Sequence, residues 1–325
     1  MTMMITTMNS EGSKKIISGV DIGSNTIRLL VGSFENNQLN IIRKELSVTR
    51  LGMGLSVSSV LSDEAMIRSI DTLVRYSKII KEHGSSRVSV KATHALREAD
   101  NGDDFVREVL RETGLAVDII SGDEEAHLTA LGVQSIISSD NSLIFDVGGG
   151  STEFILSTVG TKEVACSITL GAVTLYESLI KSDPVSLDEL MDLQNYIQKR
   201  MSGCEELTNI KSALKRDCAD FDLIFTAGTA TTLAAIKLGL SSYDPDRVNN
   251  TRMSYNDVKV MFDDLVSKSV SERKGIVGLS QGREDIIISG SAVALNVMRY
   301  FDKDEMIISD AGLLEGIVID CYKNL

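Results

Sequence analysis

Two short segments of this 325-residue chain carry the residue types that phosphate chemistry needs. Residues 21–30 read Asp-Ile-Gly-Ser-Asn-Thr-Ile-Arg-Leu-Leu, and residues 146–155 read Asp-Val-Gly-Gly-Gly-Ser-Thr-Glu-Phe-Ile. In each, an aspartate precedes a turn of glycine and small polar residues. Glycine permits positive φ and close approach of the backbone. Successive N–H groups on such a turn form a concavity for anionic oxygens. In the second copy Gly148, Gly149 and Gly150 supply that backbone, and Ser24, Asn25, Ser151 and Thr152 add side-chain donors. Asp21 and Asp146 each close an apolar run, where a carboxylate is costly unless paired or bound to a cation. Both are therefore candidate cation ligands. Seven positions after the aspartate the copies differ, with Arg28 in one and Glu153 in the other. A cation and a carboxylate facing one cleft would suit phosphate on one side and Mg²⁺ on the other.

The elements that must position these residues read as strand, tight turn, strand, so each copy is a β-hairpin. Apolar runs at 16–20 and 143–145 lead in, and runs at 29–31 and 154–156 lead out. Such a repeat suggests that each copy opens its own domain. After a strand at 87–90 come Arg97 and Asn101, near the start of a helix expected over 103–113. An arginine there can fork onto phosphate. A strand at 116–120 then meets Ser121, a helix N-cap, with Asp123, Glu124 and Glu125 in the first turn of a helix to about residue 137. Acids in a first turn also simply complement the helix dipole, so composition alone makes none of them a catalyst. Strand, glycine turn and helix recur at 223–233, where Gly228 and Thr229 stand at a helix start. Arg283 lies in Gly282-Arg-Glu-Asp285, at the head of an apolar helix expected through Tyr300. A strand at 306–309 and a helix at 312–321 close the chain.

Composition narrows the function. The net charge is −13, with 15 Lys and Arg against 16 Asp and Glu in residues 1–123 but 18 against 30 in the remainder. An acidic surface argues against nucleic acid as a partner. No apolar run approaches the roughly 18 residues of a membrane span, and Met1 to Gly12 lacks a signal peptide's apolar core, so a cytoplasmic protein with a frayed N-terminal tail is expected. Cys166, Cys204, Cys218 and Cys321 form no Cys-x-x-Cys pair and read as free thiols. His83, His94 and His127 have no metal-ligand spacing and read as surface or structural residues. There is no Walker-type loop and no Gly-x-Gly-x-x-Gly fingerprint.

The ordered set of motifs resembles the exopolyphosphatase/guanosine pentaphosphate phosphohydrolase (Ppx/GppA) family. It comprises Asp-Ile-Gly-Ser-Asn-Thr at 21–26, Thr93-x-Ala-x-Arg97-x-Ala-x-Asn101, Ser121-Gly-x-Glu-Glu-Ala126, Asp146-x-Gly-Gly-Gly-Ser-Thr-Glu153, Ala227-Gly-Thr229, Gly282-Arg283-x-Asp285 and Ser309-Asp-x-Gly-Leu. The resemblance spans residues 20–320. It implies an α/β fold of the duplicated actin-like, ribonuclease-H-like (ASKHA) type, with an active-site cleft between two domains. The expected division is residues 1–123 with 311–325, and 124–310. It implies Glu125 as catalytic base, and Asp146 and Glu153 as Mg²⁺-associated carboxylates. Ser24, Asn25 and Gly148–Ser151 are implied phosphate loops, Arg97 a phosphate contact, and Arg28 and Arg283 recognition residues for nucleotide or phosphate. Inorganic polyphosphate or guanosine penta- or tetraphosphate would be substrate or ligand, pentaphosphate being converted to tetraphosphate, and the protein a homodimer.

The family's last motif commonly reads Gly-Leu-Arg-Glu-Gly, whereas this chain has Leu314 in place of the arginine. The chain resembles the short, two-domain members. Two other functions share these features: an actin-like ATPase or small-molecule kinase, and a non-catalytic sensor of guanosine tetra- or pentaphosphate. The Thr93–Asn101 and Ser121–Ala126 segments favour the hydrolase over the kinase, and a pure binder has no need of Glu125.

Overall fold

The computed structural model describes residues 15–159, 163–217 and 220–324. The expected tail at Met1–Gly12 and Cys218 lie outside the described residues. Two mixed sheets organise the chain. The first contains β1 (Ile16–Ile22), β2 (Thr26–Glu35), β3 (Gln38–Val48), β4 (Arg87–Ala92) and β5 (Val117–Ile119), in the order β3-β2-β1-β4-β5. The second contains β6 (Asn141–Val147), β7 (Thr152–Thr158), β8 (Val164–Ile168), β9 (Asp222–Thr226), β10 (Arg252–Ser254) and β11 (Glu305–Ile308), in the order β10-β11-β9-β6-β7-β8.

The sheets repeat one plan. In each, an antiparallel three-strand meander pairs its first strand in parallel with a later strand: β1 with β4, and β6 with β9. Only the edge strand β10, antiparallel to β11, has no counterpart. The expected hairpins are both present, and their registers match: Asp21 faces Arg28, and Asp146 faces Glu153. Each turn closes through the same bond, Gly23 N–H to Thr26 O at 3.0 Å and Gly148 N–H to Ser151 O at 2.9 Å. This is the two-domain actin-like α/β architecture.

Period-2 alternation splits the side chains of each sheet between two layers. Val20, Ile22, Leu29 and Val31 pack against Leu73, Tyr76 and Ile80 of helix Asp63–Glu82 and Phe105 and Val109 of helix Gly102–Thr113. Ile17 and Leu30 turn to the other face and meet Leu314, Val318 and Cys321 of helix Leu313–Lys323. In the second sheet Leu143, Phe145 and Phe154 join the largest core, while Ile144, Ile155 and Ile224 meet Ala126, Ala130 and Val133 of helix Gly122–Gln134.

These two covering helices also cross each other. A Cβ placed on Gly132 would lie 1.9 Å from Gly312 O, and one on Gly316 would lie 1.8 Å from Leu128 O. Only glycine lets the backbones approach this closely. The crossing joins the helix that backs the first sheet to the helix that backs the second.

Several expectations shift in detail. Arg97 belongs to its own short helix, His94–Glu98, and Asn101 precedes the next. The Asn101 amide binds the backbone of Leu61 in both directions, at 2.8 and 3.0 Å. The apolar helix after Arg283 begins at Ile287, because Glu284 and Asp285 bond back to the backbone N–H groups of Gly282 and Ile286 instead of entering the helix. Among the described residues no helix is long and apolar enough to cross a membrane.

Candidate active site

The two glycine turns meet. A Cβ on Gly149 would come within 2.8 Å of Ser24 Cβ and 3.4 Å of Asn25 N. Beside this contact lies a cleft of about 940 Å³ lined from both halves of the molecule. Its walls include Ser24, Asn25, Arg28 and His94 from the first half, and Glu125, Asp146, Gly148–Ser151, Gly228, Thr229 and Arg283 beyond it.

The peptide planes of the turns are fixed from behind. The carbonyls of Gly148, Gly149 and Gly150 accept from the N–H groups of Ala172, Val173, Thr174 and Gly171, at 2.9–3.1 Å. A trans peptide places the following N–H on the opposite side. The N–H groups of Gly149, Gly150 and Ser151 thus turn away from helix Ala172–Leu179, and among the described residues they have no acceptor. The first turn is held likewise: Ser24 O accepts from Gly52 N–H at 2.8 Å, and Asn25 O from Thr49 and Arg50 N–H at 3.1 and 2.9 Å. The N–H groups of Ser24 and Asn25 are also without acceptors among the described residues. Unpaired backbone donors are expensive in a folded protein unless something binds them. Two facing sets of them are what an anion would need.

Carboxylates gather beside these donors. Glu125 is 8% exposed, and its Oε2 receives Arg97 Nη1 at 3.2 Å. Burial, then Glu153, push Glu125 well above the usual carboxylate range; Arg97 opposes this, and Asp146 and Asp21 add to it. Asp146 rises to about 7, first through burial and then through Glu153, with Arg28 opposing. Glu153 is also raised by burial, although the hydroxyls of Ser151 and Ser167 donate to its Oε1 at 2.6 and 2.7 Å. Asp21 Oδ1 is buried without a partner among the described residues. A buried carboxylate oxygen without a partner, and carboxyls raised chiefly by burial, are what a divalent cation would relieve. Oxygen donors of this kind are the type a hard divalent cation would take, although no three of them surround one point among the described residues.

The cations are distributed unequally. Arg28 is committed to Asp21 Oδ2, at 2.8 Å from Nε and 2.6 Å from Nη2. Arg97 is not among the cleft-lining residues; its Nη1 engages Glu125 and Ile120 O, the latter at 2.8 Å. Glu153 lies beneath the surface, 1% exposed. The Arg283 guanidinium rests on the backbone of Gly228, where a Cβ would come within 1.9 Å of Nη2. It has no ionic partner among the described residues, and burial followed by Arg28 lowers it to about 10. Thr229 lines the cleft, but its hydroxyl is pressed against Gly290. Leu314, at the position of the family's arginine, is buried in the core under the first sheet.

Sequence reasoning passed over three wall residues. Lys44 on β3 bridges Asp310 at 2.8 Å and Glu315 at 2.7 Å. Tyr243 hydrogen-bonds Asp310 from the second half. His94, read as surface or structural, lines the cleft. Its place inside the Thr93–Asn101 segment was the available signal. Lys44 and Tyr243 lie in no motif.

The model of the Ppx/GppA phosphatase family matches residues 30–325. This chain belongs to that family. It is 29% identical over 320 residues to a bifunctional 3-dehydroquinate synthase/phosphatase of Fusobacterium nucleatum, covering 94% of this chain and 46% of that protein, so it spans about half of that relative's length. It is 28% identical to exopolyphosphatase 2 of Mycobacterium tuberculosis, covering 93% of this chain and 97% of the other. The crystal structure of an exopolyphosphatase from Cytophaga hutchinsonii superposes with a TM-score of 0.85 at 26% identity, covering 96% of this chain and 99% of the other.

Proposed function

We propose that this Ppx/GppA member hydrolyses the terminal phosphoryl group of a phosphate polyanion, inorganic polyphosphate or guanosine pentaphosphate, with Mg²⁺. The observation that carries the reading is the meeting of two acceptor-free N–H turns beside Glu125. Family membership and the relatives' names support it.

The backbone N–H groups of Ser24, Asn25 and Gly149–Ser151, with Arg283, would hold the phosphoryl oxygens. Phosphoryl transfer needs little covalent help, so positioning and charge stabilisation dominate. Glu125 orients a water. The new P–O bond forms from that water as the bond to the leaving chain breaks. The leaving oxygen keeps the electron pair, and the water's proton passes to Glu125. A raised Glu125 holds that proton more readily than an ordinary carboxylate, and Arg97 limits how far it rises. Asp146 and Glu153 would hold Mg²⁺, which when bound neutralises phosphate charge. Among the described residues no three His, Cys, Asp or Glu side chains surround one point, so water and phosphate oxygens would complete the shell.

The direct test is phosphate release, with Mg²⁺, from long polyphosphate, short polyphosphate and guanosine pentaphosphate side by side. Release from at least one is expected. Binding of guanosine pentaphosphate without release would favour a sensor, and phosphorylation of an added acceptor by ATP would favour a kinase. A cytoplasmic homodimer is proposed on family resemblance, and size-exclusion chromatography with light scattering tests the assembly.

A further inference from the structure

We propose that His94 is a further catalytic residue: its ring donates a hydrogen bond to an oxygen of the phosphoryl group held by the Gly148–Ser151 turn. The inference rests on the hydrolase reading above.

The first observation is position. His94 begins helix His94–Glu98 in the first half, yet its ring lies on the phosphate turn of the second. A Cβ on Gly150 would meet Cδ2 at 1.7 Å, Cγ at 2.4 Å and Nε2 at 2.5 Å. Nε2 thus sits over the peptide whose neighbouring N–H groups have no acceptor. An anion cradled by Gly149, Gly150 and Ser151 would lie beside this ring.

The second observation is the lack of partners. Neither His94 nitrogen hydrogen-bonds to a described residue, although the ring lines a cleft and is only part-exposed. The other two histidines are both partnered, His83 Nδ1 with Ile79 O at 2.8 Å and His127 Nδ1 with Glu163 at 3.0 Å. Neither His94 nitrogen is sealed from the cleft, so both remain open to an acceptor that enters it. An incoming phosphate oxygen would supply the missing acceptor.

The third is charge state. Burial lowers the His94 pKa and Arg97 lowers it further, while Glu98 acts the other way. A neutral imidazole always carries one N–H donor. It also adds no positive charge that could pair with Glu125 and weaken it as a base. No proton leaves the ring; the role is that of a fixed donor, like the backbone groups beside it.

The test compares His94→Ala and His94→Gln with wild type on whichever of the three substrates the wild type hydrolyses. His94→Ala should lower kcat on the order of 10²-fold, as for loss of one oxyanion donor, with KM changed less than about threefold because ground-state binding is spread over the backbone groups. His94→Gln restores an N–H donor and should recover about tenfold of the loss. In parallel, inorganic phosphate with Mg²⁺ added to ¹⁵N-labelled wild type should shift the His94 ring nitrogens, and chloride should not. Turnover by His94→Ala above half of wild type would overturn the inference, as would equal losses in Ala and Gln or ring nitrogens indifferent to phosphate. If the wild type hydrolyses none of the substrates, the hydrolase reading itself fails, and this inference falls with it.

Discussion

Asp146 should cost the metal-free protein stability. Its carboxyl moves from 3.8 to about 7 on folding, chiefly because it is buried and secondly because Glu153 faces it. Between those two values the unfolded chain has released the proton and the folded chain still holds it. Stability from this group therefore falls as pH rises from about 4 to about 7, and stays reduced above that. At 1.36 kcal/mol per pH unit, the full cost is about 4 kcal/mol. Asp146→Asn removes the titration while nearly keeping the shape. Its amide will not be matched perfectly to the site, so the expected gain at pH 8 is about 2–4 kcal/mol. Near pH 4 the two proteins should be equally stable within about 0.5 kcal/mol. The assay is urea unfolding in EDTA, followed by circular dichroism across pH 4–8. Mg²⁺ should then stabilise the wild type more than the variant, by RT ln(1 + [L]/Kd), or about 2.7 kcal/mol at a hundredfold excess over Kd. A gap between the proteins that does not grow with pH, or a variant less stable than wild type at pH 8, would refute the reasoning.

Other outcomes follow from the same geometry. Glu125→Gln should fold normally and lose turnover by about 10²- to 10⁴-fold, measured as phosphate release; near-normal turnover would remove Glu125 from the role. Arg50 of the first half joins Asp285 of the second at 2.9 Å, while its backbone N–H holds Asn25 O. Arg50→Ala should therefore loosen closure by about 1 kcal/mol and raise KM roughly fivefold, an effect that high salt should mimic in the wild type. Gly316→Ala forces a Cβ against Leu128 O and should cost about 3 kcal/mol in thermal or urea unfolding. Glycine-to-alanine at Gly84, which has open space around it but a φ of +63°, should cost only the strain of that conformation, about 1 kcal/mol.

Both hairpins and the helix that carries Glu125 were legible because local chemistry dictates them. The glycine turns need their residues, and Ser121 accepts from Glu124 N–H at 3.1 Å, as an N-cap should. β3 was not legible. It is an outer strand with no buried residue, and Ile41, Ile42 and Leu46 are 45–56% exposed, so its pattern never separates a core face. The start of the helix after Arg283 was misplaced because Glu284 and Asp285 satisfy backbone N–H groups locally, which composition cannot distinguish from a helical first turn. Lys44 and Tyr243 reach the cleft through contacts 266 and 67 residues away in sequence, and no spacing rule encodes such pairs.

The duplication explains why the site is asymmetric. Two hairpins share strand pairing, turn closure and the leading aspartate, so a copy of the first would be electrostatically like it. They differ at the one position that faces the aspartate across the ladder. Arg28 there gives Asp21 a partner at 2.6 Å, and the pair is self-compensating. Glu153 there gives Asp146 a second carboxyl in a buried setting, and both resist ionisation. Such a pair is stable only protonated or beside a cation. One change of side chain at a fixed register thus replaces an ion pair with two buried carboxyls, while backbone donors without acceptors among the described residues stay in both copies. The exchange Glu153→Arg tests this. It should stabilise the metal-free protein above pH 7, remove the Mg²⁺ dependence of stability, and abolish turnover without disturbing the hairpin. A variant that still gains stability from Mg²⁺ as the wild type does would show that the cation preference arises elsewhere in the cleft.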